Sequence, residues 1–449
     1  DQRNWTDASY KTYCTPLGIP FPVVIEAGDR IHQKIDLDIT GTEPGSIIRD
    51  GVHELVFTID EDLGFSLPGL GTGTSSSYNR LDRETCDLIR KSGLDHIRWD
   101  IDMTAEDLPD KLQAVRQDIT RMDTAACLAL FFGDDPVDEF ERFMQEASVL
   151  KDRIKYMILF TKAGKTTPTS LINELSGRIR ENLPGIRIGG GTNAYFAELN
   201  RERVDQKDLD FIVYSVNPQV HAFDHASLTE TLEAQFYTVK SARLFFPGKE
   251  IMISPVTLKP RFNPNATGSE LPSRPGELPP QVDVRQMSLF GACWTLASIK
   301  YLSEAGINWI SYYETAGWRG LVQGPDDPPE SRIFKTGQGD VFPVYLVFRW
   351  LSEIREATLI RTFSSNPLIF DGLAVRHDSA IHVFLANFSL RDQKIDIPGS
   401  KSPCHQRILS IKNVREFMKD PEGKNIITRS EVADVRLPPC SINWISFQS

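Results

Sequence analysis

Glu314 and His221 are the side chains of this sequence best suited to move a proton near neutral pH. A carboxylate and an imidazole that meet in a cleft can share a proton, which is what general acid–base work requires. Other residue types here suit a polar substrate. The amides Asn193, Asn217 and Gln219 can orient hydroxyls or donate to a developing oxyanion. The cations Arg98, Lys162, Lys259, Arg261 and Arg319 can hold a carboxylate, and Tyr195, Tyr312, Tyr313 and Trp318 can wall a sugar ring. Each has a plainer reading. Glu314 also suits an ion pair with Arg319, Arg98 or Lys259, and His221 a loop histidine bonded to backbone. The amides suit loop caps, and the lysines solvated charges. Asp134 and Asp135 stand before Pro136 and read as a helix cap rather than a ligand pair. His225 reads as a surface residue. No Cys/His spacing and no cluster of acids demands a metal, and neither a metal nor another cofactor is expected.

The elements that must position these residues follow from periodicity. The stretch GINWISYYETAGWRG at 306–320 opens as a β-branched and aromatic strand over 307–313. It ends in a glycine-punctuated loop that starts at Glu314. Upstream, strand and helix patterns alternate. Strands are predicted at 63–67, 95–101, 126–132, 155–160, 186–191, 211–216, 250–258 and 307–313. Helices are predicted at 81–91, 105–122, 137–151, 168–182, 227–245, 285–305 and 341–356, with Ser227 and Glu230 placed for a capping box. Eight such units over roughly 300 residues predict an α/β fold, a (β/α)8 TIM barrel, whose active site lies at the carboxyl ends of the strands. The candidates fall at those ends. Arg98, Asp100 and Asp102 close the second strand, Thr161 and Lys162 the fourth, and Asn193, Tyr195 and Glu198 follow the fifth. Asn217, Gln219 and His221 follow the sixth, Lys259 and Arg261 the seventh. Gly189-Gly190-Gly191 lacks the spacing of a dinucleotide loop.

The flanks read as β structure. Strands are predicted at 21–26, 31–39 and 54–59, and again at 368–370, 381–386, 394–397, 408–411 and 442–447. The predicted organisation is a β segment at 1–60, the end of an N-terminal β domain, then the catalytic barrel at 61–357 and a C-terminal β-sandwich at 358–449. The N-terminal strands either complete that last sheet or belong to another. With 449 residues the length suits one barrel plus small β modules. The net charge of −11, with acids and bases interspersed, argues against nucleic acid or a membrane surface as partner. No apolar run reaches the length of a membrane span and no signal-peptide pattern appears, which leaves the cytoplasm as the expected compartment. The six cysteines are scattered and read as buried free thiols; Cys404 and Cys440 are the two that one C-terminal sheet could bring near each other. The start at Asp1, without Met, leads us to expect further sequence upstream.

The order of elements and the histidine after the sixth strand resemble the retaining clan-A glycoside hydrolases, which carry an acid at the end of the fourth strand and a nucleophile at the end of the seventh. This chain has Thr161-Lys162 and Thr257-Leu258-Lys259 there. Longer motifs resemble the D-apionate lactonase family: DQRNWTDAS at 1–9, KTYCTPL at 11–17, GGTNAYFAELN at 190–200, NPQVHAFD at 217–224, SPVTLKPRFN at 254–263 and YYETAGWRG at 312–320. That resemblance implies a barrel between β domains, a further N-terminal domain, and hydrolysis of D-apionolactone to D-apionate in bacterial apiose breakdown. The partner implied is a small-molecule sugar lactone. The alternatives are a glycosidase with relocated carboxylates, pairing Glu314 with Glu198 or an acid of the second strand, and a barrel that binds carbohydrate without turnover.

Overall fold

The structure, a computed structural model, describes residues 24–32, 34, 36, 38, 54–147, 150–219, 222–266, 277–325, 336–400, 404–422, 424–432 and 434–448. After a long strand, β1 (Leu55–Ser66), the chain enters β2 (Gly69–Gly73) and then alternates. The sequence of elements is α1 (Arg83–Ser92), β3 (His96–Asp102), α2 (Leu108–Met122), β4 (Ala125–Phe132), α3 (Pro136–Ala147), β5 (Ile154–Thr161), α4 (Thr169–Asn182) and β6 (Arg187–Tyr195). There follow α5 (Phe196–Arg201), β7 (Phe211–Val216), α6 (His225–Glu230), α7 (Leu232–Phe245), β8 (Glu250–Val256), α8 (Leu289–Glu304), β9 (Trp309–Ala316), β10 (Gly320–Val322) and α9 (Val344–Ser352).

Strands β2 to β9 are parallel neighbours in chain order, and β9 pairs with both β8 and β2, so eight strands close a barrel. The predicted (β/α)8 fold is the observed one. Its lumen is packed by Cys127, Ala129, Tyr156, Ile158, Phe160, Phe211, Val213 and Met252. The first barrel strand is not the one expected. The apolar run at 63–67, expected as the first barrel strand, mostly extends β1 in the other sheet, and the glycine-rich segment behind it is the first barrel strand. Glycine is required there because a Cβ on Gly71 would lie 2.4 Å from the His96 ring and 2.5 Å from its carbonyl, and one on Gly69 would lie 2.7 Å from Trp309. Small residues on β2 make room for large lumen side chains on both neighbours, and composition alone then reads as a turn. The predicted helix at 227–245 is two helices, and the cap of the first is Asp224, which accepts from the Ser227 N–H and hydroxyl, rather than Ser227.

Helix α8 starts at Ser288, which caps Gly291, and it is buried on nearly all faces. One side lies on the barrel. The other receives a mostly antiparallel nine-stranded sheet that adds β11 (Thr358–Ser364), β12 (Phe370–His377), β13 (Ala380–Asn387), β14 (Gln393–Asp396), β15 (Cys404–Leu409), α10 (Val414–Lys419), β16 (Ile427–Val432), β17 (Val435–Leu437) and β18 (Ser441–Gln448). Its order is β16-β15-β18-β13-β12-β11-β1-β14-β17, so β1 lies between β11 and β14. Phe57, Ile360, Phe370, Val383, Leu385, Ile395, Leu437 and Ile445 form the apolar core on the side away from the barrel. The turn expected at Gly28-Asp29 is present, with Asp29 N–H donating to Glu26 O at 3.1 Å; residues 24–26 and Ile31 are not in strands, and the rest of the expected 21–39 strands lies outside the described residues. Cys404 and Cys440 stand at opposite ends of the antiparallel β15–β18 pair, so the expected neighbourhood between them does not occur.

Candidate active site

Glu314 is built into the barrel mouth by a bulge. Four residues of β9, Ser311 to Glu314, span the same distance as three of β2, Gly71 to Gly73. The extra residue is accommodated at Tyr313, whose φ is 54°. A bulge of this kind re-aims the side chains that follow it. Tyr312 and Tyr313 therefore both face outward to α8, where their hydroxyls bond Ser298 and Thr295 at 2.8 Å each. This corrects the expectation that they wall a sugar: both are fully enclosed between strand and helix.

Glu314 turns inward. Its Oε2 accepts from the N–H and hydroxyl of Ser76 at 2.8 and 2.9 Å, and its Oε1 pairs with Arg319 at 2.8 Å. The turn Gly317 to Gly320 folds Arg319 back over it: Glu314 N–H donates to Arg319 O at 2.8 Å and Gly320 N–H to Gly317 O at 2.8 Å. Burial pushes the Glu314 carboxyl above its ordinary range, against the opposing pull of Arg319 and the Ser76 bonds. Trp318, in the same turn, is half-buried against the core.

Beside Glu314 sits a guanidinium cluster. Arg98 is 2% exposed; it donates through Nε to Asp100 at 2.7 Å, through Nη2 to the Asn193 side-chain oxygen at 2.7 Å, and through Nη1 to the Ser254 carbonyl. Arg261 Nη2 reaches the same Asn193 oxygen at 2.9 Å and the Ser215 hydroxyl at 3.0 Å, and its Nη1 lies 4.0 Å from Asp100. Burial, then the neighbouring Arg98, pushes Arg261 down to about 10, which leaves it cationic at neutral pH. Lys162, at the end of β5, bonds Asp102 at 2.9 Å and Thr104 at 2.8 Å. Burial acts to raise Asp102, but the bonds it accepts from Lys162 and from the Thr104 hydroxyl and N–H outweigh it and hold the carboxyl below its usual range. Beneath the cluster a polar chain runs from Ser254 to Ser311 at 2.9 Å and from Ser311 to His96 Nε2 at 2.9 Å. Burial, assisted by Lys155, pushes His96 down to about 3, so it is neutral near pH 7.

A second group of expected residues is elsewhere. Tyr195, Asn217, Gln219 and Lys259 line a cavity of about 1020 Å³ between the ends of β6, β7 and β8. Tyr195 stacks on Phe262, donates to its carbonyl at 2.9 Å and accepts from Arg261 N–H at 3.0 Å. Gln219 is 1% exposed and fully committed: its amide donates to Leu258 O and Asp283 at 2.7 and 2.6 Å, and its oxygen accepts from Arg285 at 2.8 Å. It braces loops and leaves no group for substrate, which corrects its expected role. Glu198 is likewise tied, to Arg201 at 2.9 Å. Asp135 accepts from Asp138 N–H at 3.3 Å at the start of α3, as a cap should. His221 lies outside the described residues. The residue that the sequence reading missed is Ser76; its only signal was a glycine- and serine-rich loop in the position where a barrel loop meets the mouth. Among the described residues, no group of three His, Cys, Asp or Glu side chains is placed to hold a metal.

Comparison with known proteins gives this geometry a family. Residues 70–356 match the D-apionate lactonase TIM-barrel domain, and residues 1–42 match the N-terminal domain of the same lactonases. The chain belongs to the D-apionate lactonase family. A D-apionate lactonase from Brucella anthropi is 26% identical over 412 residues, covering 88% of this chain and 65% of that protein. The chain thus spans about two thirds or slightly less of the length of that relative. Solved structures similar in fold include a family 51 α-L-arabinofuranosidase from Bifidobacterium longum (TM-score 0.60, 10% identity, 87% of this chain and 99% of that one). Another is a GH30 endoxylanase from Clostridium papyrosolvens (TM-score 0.53, 11% identity, 88% and 100%). At that identity the likeness of this lactonase-family chain to glycosidases is one of fold alone.

Proposed function

We propose that the chain hydrolyses a sugar lactone, with Glu314 as the general base. The observation that carries this reading is the largely buried, upward-shifted Glu314 carboxyl at the end of the eighth strand, paired with Arg319 and acted on by Arg261, which shares the Asn193 oxygen with Arg98. A base for water must titrate near the working pH, and burial moves Glu314 in that direction. Ring opening develops negative charge on the carbonyl oxygen and ends in a carboxylate, and both complement a cationic wall. Glu314 takes a proton from water as the oxygen attacks the carbonyl carbon. The tetrahedral oxyanion is stabilised by the guanidiniums. Its collapse breaks the ring C–O bond, and the departing alkoxide takes the proton back from Glu314, or takes one from a protonated His221 that Glu314 then resupplies. A retaining glycosidase needs two carboxylates about 5–5.5 Å apart across the bond. The fourth strand here ends in Thr161 and Lys162, and Lys162 is engaged with Asp102.

Family membership supports the finer reading, D-apionolactone opened to D-apionate in apiose breakdown. The test is a panel: D-apionolactone and other aldonolactones followed by proton release, with nitrophenyl glycosides alongside. Lactone turnover well above background and glycosides inert is the expected result. Lactone turnover at background overturns the proposal, and His221→Ala at full activity removes His221 from it.

A further inference from the structure

Two thiols meet where the barrel and the second sheet touch. Cys293 lies in the middle of α8 and is fully buried. Its sulfur is 3.4 Å from Ser441 O and 3.6 Å from Asn387 O, the two residues paired at the end of the β13–β18 ladder. Cys440 immediately precedes Ser441. Its backbone is left-handed, with φ 43°, and its N–H donates to Ser389 O at 2.9 Å, which fixes its direction. The side chain is partly exposed and packs against the core that holds Cys293, whose thiol pulls the Cys440 thiol below its ordinary value. No disulfide joins them in this structure.

We propose that Cys293 and Cys440 form a dithiol that a small-molecule disulfide such as glutathione disulfide converts reversibly into an intramolecular disulfide, tying α8 to β18. The Cys440 thiolate attacks one sulfur of the oxidant, forms a mixed disulfide and releases one glutathione thiolate. The Cys293 thiol loses its proton, attacks the Cys440 sulfur and releases the second glutathione. Two protein thiols are oxidised and one disulfide is reduced to two thiols. The geometry assigns the order: the partly exposed Cys440 meets the oxidant, and the enclosed Cys293 resolves it. The contact itself favours this division, because the Cys293 bond stabilises a Cys440 thiolate while burial holds Cys293 protonated. Cys86 and Cys127 are buried with thiols pushed up by burial and have no such partner among the described residues.

The test uses the whole chain, reduced and then equilibrated in glutathione buffers of graded oxidised-to-reduced ratio. The readouts are thiol titration after denaturation and non-reducing peptide mapping. The expected result is loss of two thiols, one 293–440 cross-linked peptide, and return of both thiols on adding dithiothreitol. Cys293→Ser should instead accumulate a glutathione adduct at Cys440, and Cys440→Ser should form no cross-link. The wild-type map alone suffices if a variant fails to fold. Unchanged thiol count, an adduct at Cys440 of the wild type that never resolves, or a cross-link between another pair overturns the proposal.

Discussion

At Glu314 two opposing effects meet, and their balance sets the pH at which the site is armed. Burial raises the carboxyl; Arg319, the Ser76 bonds and Arg261 lower it. If the ionised form is the base, the rate climbs as pH rises through an apparent pKa above the usual carboxylate value. Glu314→Gln is expected to cost about 10²–10⁴-fold in kcat and to abolish that acidic limb, read from the pH–rate profile of lactone hydrolysis. Arg319→Met removes a cation that lowers the carboxyl, so the limb should move to higher pH while a residual rate remains. An unchanged limb would dissociate it from Glu314. Loosening the wall has a different signature. Asn193→Ala leaves the facing Arg98 and Arg261 donors without their shared acceptor, and kcat should fall about 10–100-fold with the limb in place.

At the scale of elements, the candidate site depends on irregularities in β9, β6 and β8, where strict alternation fails. Counting by twos from Ser311, which faces the lumen and bonds His96, puts Tyr313 inside and Glu314 outside. The left-handed Tyr313 reverses that parity. The sequence carries the strand, its position as eighth and the carboxylate at its end, but not the bulge. A bulge is selected by tertiary contacts, here the Thr295 and Ser298 hydroxyls on α8, and those lie in another element. The same reason explains β2: its glycines are demanded by His96 and Trp309 on neighbouring strands, so local composition points to a loop. Strands β4, β5 and β8 are readable because each is an apolar run that follows a clear helical pattern. Gly71→Ala tests the β2 account. The added methyl meets the His96 ring and backbone, and a loss of about 1–3 kcal/mol or more is expected by denaturant titration.

At the scale of the molecule, barrel and sheet share α8, and the interface encloses an ion pair. Lys300, 4% exposed, pairs with the fully buried Asp371 of β12 at 3.4 Å. Asp371→Ala leaves that ammonium buried and alone, and should cost about 3–5 kcal/mol in unfolding experiments. His96 links the barrel's stability to pH. It stays neutral when folded but takes a proton in the unfolded chain near its ordinary pKa of 6.5. The unfolded state then binds more protons below 6.5, so stability falls with pH from there, by up to about 1.4 kcal/mol per unit per group. His96→Gln should flatten the slope of stability against pH between 4 and 6 by one proton.

The place of β1 in the second sheet has a further consequence, in time rather than in space. Phe57 pairs with Ser364, and the entire barrel is made between them. On the ribosome, a twelve-residue strand with both edges open must wait through that synthesis before β11 and β14 exist. An open edge is a template for any neighbouring strand, including the β11 of another copy. This topology therefore predicts exchange of β1 between nascent chains as an assembly error, over a window set by the time taken to synthesise β11 and β14.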